Sequence, residues 1–252
     1  LPYNDGDLIR ITNTSSPTII DGFTVDGDNG CDKEIQVIDG HFQMSGNILD
    51  QNTCLFADTT VSDFDGIIRV VGNQVQGENI YAFTVGGGVK ALYVQNNNVS
   101  DRGLPIGSRN TNTNDIKVQT LGSQVFVDHN QFINGYLEDP EDDEDDNVFG
   151  VELSFSPAFS DNGGELDIAI SHNEIRDFDK GCVVNNLAAV GENGTANLMV
   201  NNNLFHGFSG RGVEINCIDE DPFAGVDIEL NWVANTLYSV GSGIGLDIND
   251  VT

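Results

Sequence analysis

Basic residues are scarce in this 252-residue chain: 10 Lys and Arg stand against 40 Asp and Glu, giving a formal net charge of -30. That shortage excludes nucleic acid and anionic bilayers as partners, because both are held by clustered cations. No run of about 18 apolar residues occurs, so no membrane-inserted helix is expected. Sustained helical periodicity is missing too, which points away from any helical class. The Gly-x-Ser-x-Gly elbow, the Walker loop, Cys-x-x-Cys and His-Glu-x-x-His are all absent. Cysteines number four, Cys31, Cys54, Cys182 and Cys217. An even count permits two disulfides without requiring them, and buried thiols are the other reading. The chain opens on Leu1 without a leader-like segment. With its acidity, this leads us to expect a mature secreted protein, extracellular or at the cell surface.

What is present is a repeat. Its unit reads apolar, polar, small or polar, Asn, any residue, apolar, as in Met44-Ser45-Gly46-Asn47-Ile48-Leu49 and Val94-Gln95-Asn96-Asn97-Asn98-Val99. The pivots are Phe23, Asn47, Asn73, Asn97, Asn130, Asn173, Asn203 and Asn235, separated by 24, 26, 24, 33, 43, 30 and 32 residues. Apolar residues recur two before each unit, at Phe42, Ile68, Leu92, Val125, Ile168, Leu198 and Leu230, which is strand periodicity. A second strand follows glycine at Gly150, Gly181, Gly212 and Gly245, where glycine is expected to open a bend. So short a unit cannot bury its apolar face alone, and successive coils must stack and share one core. Asn suits such a stack because its amide can bond along it and it tolerates a left-handed backbone. Phe23 starts the column with an apolar plug.

The expected fold is therefore all-β: a right-handed, single-stranded parallel β-helix of about eight coils, one domain over residues 1-252. On these repeats the chain, from about Thr18 to Ile248, resembles the right-handed parallel β-helix, or pectin-lyase-like, superfamily. The resemblance implies a fold rather than an activity, since lyases, glycosidases, adhesins and structural proteins share it.

Cys31 and Cys54 lie 8 and 7 residues after their pivots, so stacking is expected to bring them within bridging distance. Cys182 and Cys217 lie 9 and 14 after theirs, and their flanking strands align with an offset of four, so a bridge there needs a bulge. The wide spacing before Asn173 comes from an acidic insertion around residues 137-147. In it Asp139, Glu141, Asp142, Asp143, Glu144, Asp145 and Asp146 offer oxygen ligands to a calcium ion. The run lacks the glycine and alternating spacing of a calcium loop, so a solvated loop is the simpler expectation and calcium the alternative. The segment from Asp101 to Thr113, with Arg102 and Arg109, reads as a solvated excursion.

Val125-Phe126-Val127-Asp128-His129-Asn130 looks like the strand ending in Asp-His found in pectate-lyase-like enzymes. Their following Arg-x-Pro-x-x-Arg is not present in order, and His129 sits in the column of Gly46, Gly72, Asn96, His172, Asn202 and Ala234, a turn position. No catalytic residue or cofactor is assigned. The favoured function is an extracellular structural or adhesive protein, self-associating end to end into filaments. The alternative is a polysaccharide lyase, glycosidase or carbohydrate-binding module, with Tyr81, Tyr93, Tyr136 and Trp232 as candidate sugar contacts and Trp232 more at home in the core.

Overall fold

A computed structural model describes residues 7–26, 33–50, 53–58, 66–76, 90–100, 104–106, 116–118, 122–134, 149–157, 163–217, 226–240 and 245–249. They are all-β and every strand pairing is parallel. Two eight-stranded sheets dominate. The first runs through Thr18–Asp21, Phe42–Ser45, Ile67–Val71, Ala91–Gln95, Ser123–Asp128, Glu165–Ser171, Thr195–Asn201 and Asp227–Val233. The second takes the short strand that follows each of these, from Thr24–Asp26 to Thr236–Val240. A three-stranded sheet of Asp7–Thr12, Lys33–Ile38 and Thr53–Asp58 occupies the third place in the early repeats. In the later repeats that place is taken by a six-stranded sheet that includes Phe149–Pro157, Lys180–Asn185, Val213–Asn216 and Leu246–Asn249.

In the first sheet the register is unbroken. Phe42, Ile68, Leu92, Val125, Ile168 and Leu198 face one another strand to strand, as do Met44, Val70, Val94, Val127, Ile170 and Val200. All twelve are buried. Leu49, Val75, Val99, Phe132, Ile175 and Phe205 close the core from the second sheet. The expected alternation is thus the observed one, because a strand packed on one face must turn every second side chain inward.

Between the two sheets each repeat turns on its pivot. Asn47, Asn73, Asn97, Asn130, Asn173 and Asn203 are all buried. From each, the backbone N–H and the side-chain Nδ2 both donate to Oδ1 of the next pivot Asn, at 2.9–3.0 Å. The second Nδ2 hydrogen reaches back to a carbonyl of the preceding repeat, for example Asn130 to Val94 at 2.8 Å and Asn173 to Val127 at 2.8 Å. The Asn carbonyl accepts from the residue after the next pivot, as from Gln74 to Asn47 at 2.9 Å. Every polar group of the buried Asn is paired. Ionised Asp has no side-chain donor and Ser has a single hydroxyl hydrogen, so neither can fill this place without a buried orphan.

One expectation shifts by a residue. The left-handed backbone belongs to the residue before the pivot: Gly22, Gly46, Gly72, Asn96, His129, His172, Asn202 and Ala234 all have positive φ. A second concerns the glycine that opens the third-sheet strands. A Cβ on Gly181 would lie 2.4 Å from the Gly212 carbonyl oxygen, and one on Gly212 would lie 2.5 Å from that of Gly245. These glycines are required by close stacking of backbone on backbone rather than by a bend. Two structures were not anticipated. Leu104–Ile106, inside the expected solvated excursion, is a strand paired with Val151–Leu153. A buried 3-10 turn, Leu187–Val190, plugs the space beside Phe149–Pro157.

Replacing Asn130 by Ala strands the two donors of Asn97 in the core. Each buried group left unpaired costs about 1–3 kcal/mol, so N130A is expected to lose roughly 3 kcal/mol or more of folding stability. N235A, at the half-buried last rung among the described residues, is expected to lose clearly less. Urea unfolding of the three proteins checks the order.

Candidate functional site

Stacking places chemically active side chains in columns, and three outward groups stand out. The first lies at the turn after the first-sheet strands. Asp128 ends its strand and faces Ser171 in register. Ser171 Oγ donates to Asp128 Oδ1 at 2.7 Å. His129 Nδ1 lies 2.8 Å from Asp128 Oδ2, and His172 Nδ1 lies 3.1 Å from Asp128 Oδ1. The two imidazoles stack, with centroids 4.5 Å apart and planes 15° from parallel. The histidine side chains are 56% and 45% exposed and that of Asp128 is 26% exposed. Partial burial works to raise the Asp128 carboxyl, but the hydrogen bonds from Ser171, His129 and His172 outweigh it and hold the group below the ordinary aspartate value.

The second group lies on the six-stranded sheet. Glu214 Oε2 is 3.0 Å from Lys180 Nζ and 3.0 Å from Arg211 Nη1, and the same Arg211 nitrogen is 3.0 Å from Asp247 Oδ2. Beside it runs a second amide ladder. Asn249 Nδ2 donates to Asn216 Oδ1 at 2.9 Å, Asn216 to Asn185 at 2.8 Å, and Asn185 to Ser154 Oγ at 3.3 Å. Burial pushes Glu214 up, while Lys180, Asn216 and Arg211 more than offset this and leave its carboxyl below the usual range. This arrangement ties repeats together and presents no open chemistry.

The third is the outer face of the first sheet. The Arg69 guanidinium carbon lies 4.3 Å from the Tyr93 ring centroid, and Tyr93 stacks on Phe126 at 5.0 Å and 11°. A shallow groove beyond Phe126 is lined by Asp167, Asn197, Met199, Glu229 and Asn231.

Of the residues singled out in the sequence, the acidic run Asp139–Asp146 lies outside the described residues, as do Cys31, Tyr81 and Tyr136. Cys54 stands on Thr53–Asp58 with its backbone opposite Glu34. Between Cys182 and Cys217 no bridge forms, and both are buried thiols. The reason is register: Cys182 stands opposite Val213, four residues before Cys217. Burial pushes the Cys182 thiol up to about 12. Trp232 is in the inward column, half-buried and stacked on Phe205 at 6.0 Å, so it belongs with the core. His172 is the residue whose role was missed. Its place one before a pivot, in the column of His129, was visible, but its pairing with Asp128 depends on stacking across 44 residues.

Among known proteins no family model, curated relative or solved structure matches this chain.

Two outcomes follow. The native protein is expected to leave Cys182 unreacted with a thiol reagent at mildly alkaline pH and to release it on unfolding, because the thiolate is the nucleophile. Glu214, with a folded pKa below its unfolded one, contributes stability that is present above the ordinary glutamate value. That contribution is lost as pH falls through the lowered folded value. Compared with the native chain, E214Q is therefore expected to be less stable at neutral pH and to converge with it only as pH falls below that lowered value, as measured by unfolding free energy against pH.

Proposed function

We propose that the chain is a right-handed parallel β-helix of about eight coils, of the pectin-lyase-like type, that serves as an extracellular structural or adhesive protein and assembles end to end. The observation that carries this reading is the exposure of apolar residues in the first and last described repeats. Leu198, Val200 and Phe205 are buried, whereas their counterparts in the last described repeat, Leu230, Trp232 and Leu237, are only partly buried. In the first described repeat Ile20, which pairs with the fully buried Met44, is only partly buried, and Phe23 is 62% exposed. A second copy stacked on either end covers these residues and pairs the edge strands, a heterologous contact that repeats without closing.

Charge and the ladder both bear on the joint. At a net charge of -30, copies repel one another, so assembly is favoured by salt, which shortens the Debye length to about 3 Å at 1 M. Among the described residues the last rung of the Asn ladder is Asn235, and the first pivot position holds Phe23, which has no side-chain amide oxygen to accept from another rung. Phe23→Asn therefore extends the ladder across the joint. At about 1 kcal/mol net for each hydrogen bond added at the joint, it lowers the concentration for assembly roughly five-fold or more. Sedimentation and electron microscopy at rising salt check this. Salt-dependent filaments strengthened by F23N support the proposal, and two proteins that stay monomeric at every salt and concentration oppose it.

A second reading, a carbohydrate-binding module or polysaccharide-acting enzyme, is favoured by the Tyr93–Phe126 stack beside a groove of amides and carboxylates. Sugars are held by such a combination of ring face and polar groups. With Asp167 and Glu229 in the groove, neutral or amino sugars suit it better than uronates. Binding or cleavage in a screen of neutral and uronate polysaccharides, lost on Phe126→Ala, separates this reading from the first.

A further inference from the structure

We propose that Asp128, His129 and His172 bind one divalent transition-metal ion of the borderline class, Zn²⁺ or Cu²⁺, in preference to Ca²⁺ or Mg²⁺. Among the described residues this is the one group of three His, Cys, Asp or Glu whose ligand atoms gather within 4.8 Å of one another. Around a tetrahedral Zn²⁺, with metal–ligand distances of about 2.0–2.2 Å, donor atoms lie roughly 3.3–3.6 Å apart. His129 Nδ1 lies 2.8 Å from Asp128 Oδ2 and His172 Nδ1 lies 3.1 Å from Oδ1, so each nitrogen now faces its own carboxylate oxygen and the rings turn to bring both nitrogens and one oxygen onto the ion. Both imidazoles are about half exposed and free to splay from their near-parallel stack. Water completes the coordination. Two imidazole nitrogens and a carboxylate oxygen match the borderline ions, whereas calcium seeks six to eight oxygens.

The molecule contains its own comparison. In the first repeats Ser45 Oγ donates to Asp21 Oδ1 at 2.6 Å, the same Asp–Ser pair as Ser171 and Asp128. There the two turn positions are Gly22 and Gly46, which share the left-handed backbone of His129 and His172. The Asp–Ser bond and the turn therefore do not need histidine. Across eight equivalent positions the turn is filled by Gly three times, by Asn twice and by Ala once, residues that suit or tolerate this backbone. Histidine stands at the remaining two, which adjoin in the stack and flank the Asp128 carboxylate. Histidine, like Asn, is among the residues that this backbone admits, so the turn alone does not select it; what sets this pair apart is that both stand in adjoining repeats against one carboxylate. Ser171 holds Asp128 Oδ1 in place, in the manner of an outer partner that orients a ligating carboxylate. The ion displaces whatever proton each Nδ1 shares with Asp128, and both rings bind as neutral imidazoles.

The test uses the full chain, stripped of metal with a chelator and titrated with Zn²⁺ near neutral pH, with the side-chain nitrogens of His41, His129, His172 and His206 followed by NMR. At one equivalent the His129 and His172 signals are expected to move together while those of His41 and His206 stay, and the same concentration of Ca²⁺ is expected to move none of them. The double variant H129G/H172G restores the residue found at Gly46 and Gly72. It is expected to fold and to bind Zn²⁺ at least about tenfold more weakly, since loss of an outer partner alone costs about that much. Should it not fold, H129N/H172N places there the residue of Asn96 and Asn202 and carries the same expectation. The proposal is overturned if His129 and His172 do not respond, if all four histidines respond alike, or if the folded double variant binds Zn²⁺ as tightly as the native chain.

Discussion

A buried carboxamide that satisfies all of its own polar groups only when another lies directly above it is the constraint on which this protein rests. Each pivot Asn spends both amide hydrogens, both acceptor sites of Oδ1 and its backbone groups on neighbours in adjacent repeats. In a low-dielectric interior such a chain is stabilising only while it is complete, because an interruption leaves donors that water cannot reach. The ladder therefore sets register. Once Asn73 is above Asn47 and Asn97 above Asn73, the strand on either side of each turn can pair with its counterpart in one way only.

Fixed register has chemical consequences outside the core. The residues just before the pivots become columns too, and residues 24 to 43 apart in sequence come into contact by stacking. Asp21 with Ser45, Asp128 with Ser171, and His129 with His172 are products of the same geometry. At the third sheet the column is glycine over glycine over glycine, where the backbones approach too closely for a Cβ. A second amide ladder closes that side, with its donors pointing toward the start of the chain where those of the first point away. The two ladders grip the stack at separate corners with opposite polarity.

Much of this was legible in the residues. The Asn column, the inward alternation and the glycine-led strands are local patterns, and the parallel pairing they call for is the pairing found. The offset of four between Cys182 and Cys217 also read correctly as a mismatch of register. The candidate site was harder to see. Asp128-His129 drew attention through a likeness to a lyase strand, while its partners Ser171 and His172 are set by an alignment that a 43-residue spacing obscures. The assignment of left-handed backbone to the pivot Asn failed by one residue, because burial and hydrogen bonding, not turn propensity, select that side chain. Leu104–Ile106 was hidden in a segment whose Arg, Pro and Gly content suggests solvent.

The claim that the ladder holds the stack is tested most directly by hydrogen exchange resolved to individual asparagines, at backbone and side-chain amides alike. Asn73, Asn97, Asn130 and Asn173 are expected to exchange as slowly as the most protected strand amides, while the side chains of Asn96 and Asn98, exposed beside the same turn, exchange freely. If the pivot side chains exchanged as fast as those of Asn96 and Asn98, the ladder would not be the element that orders the fold.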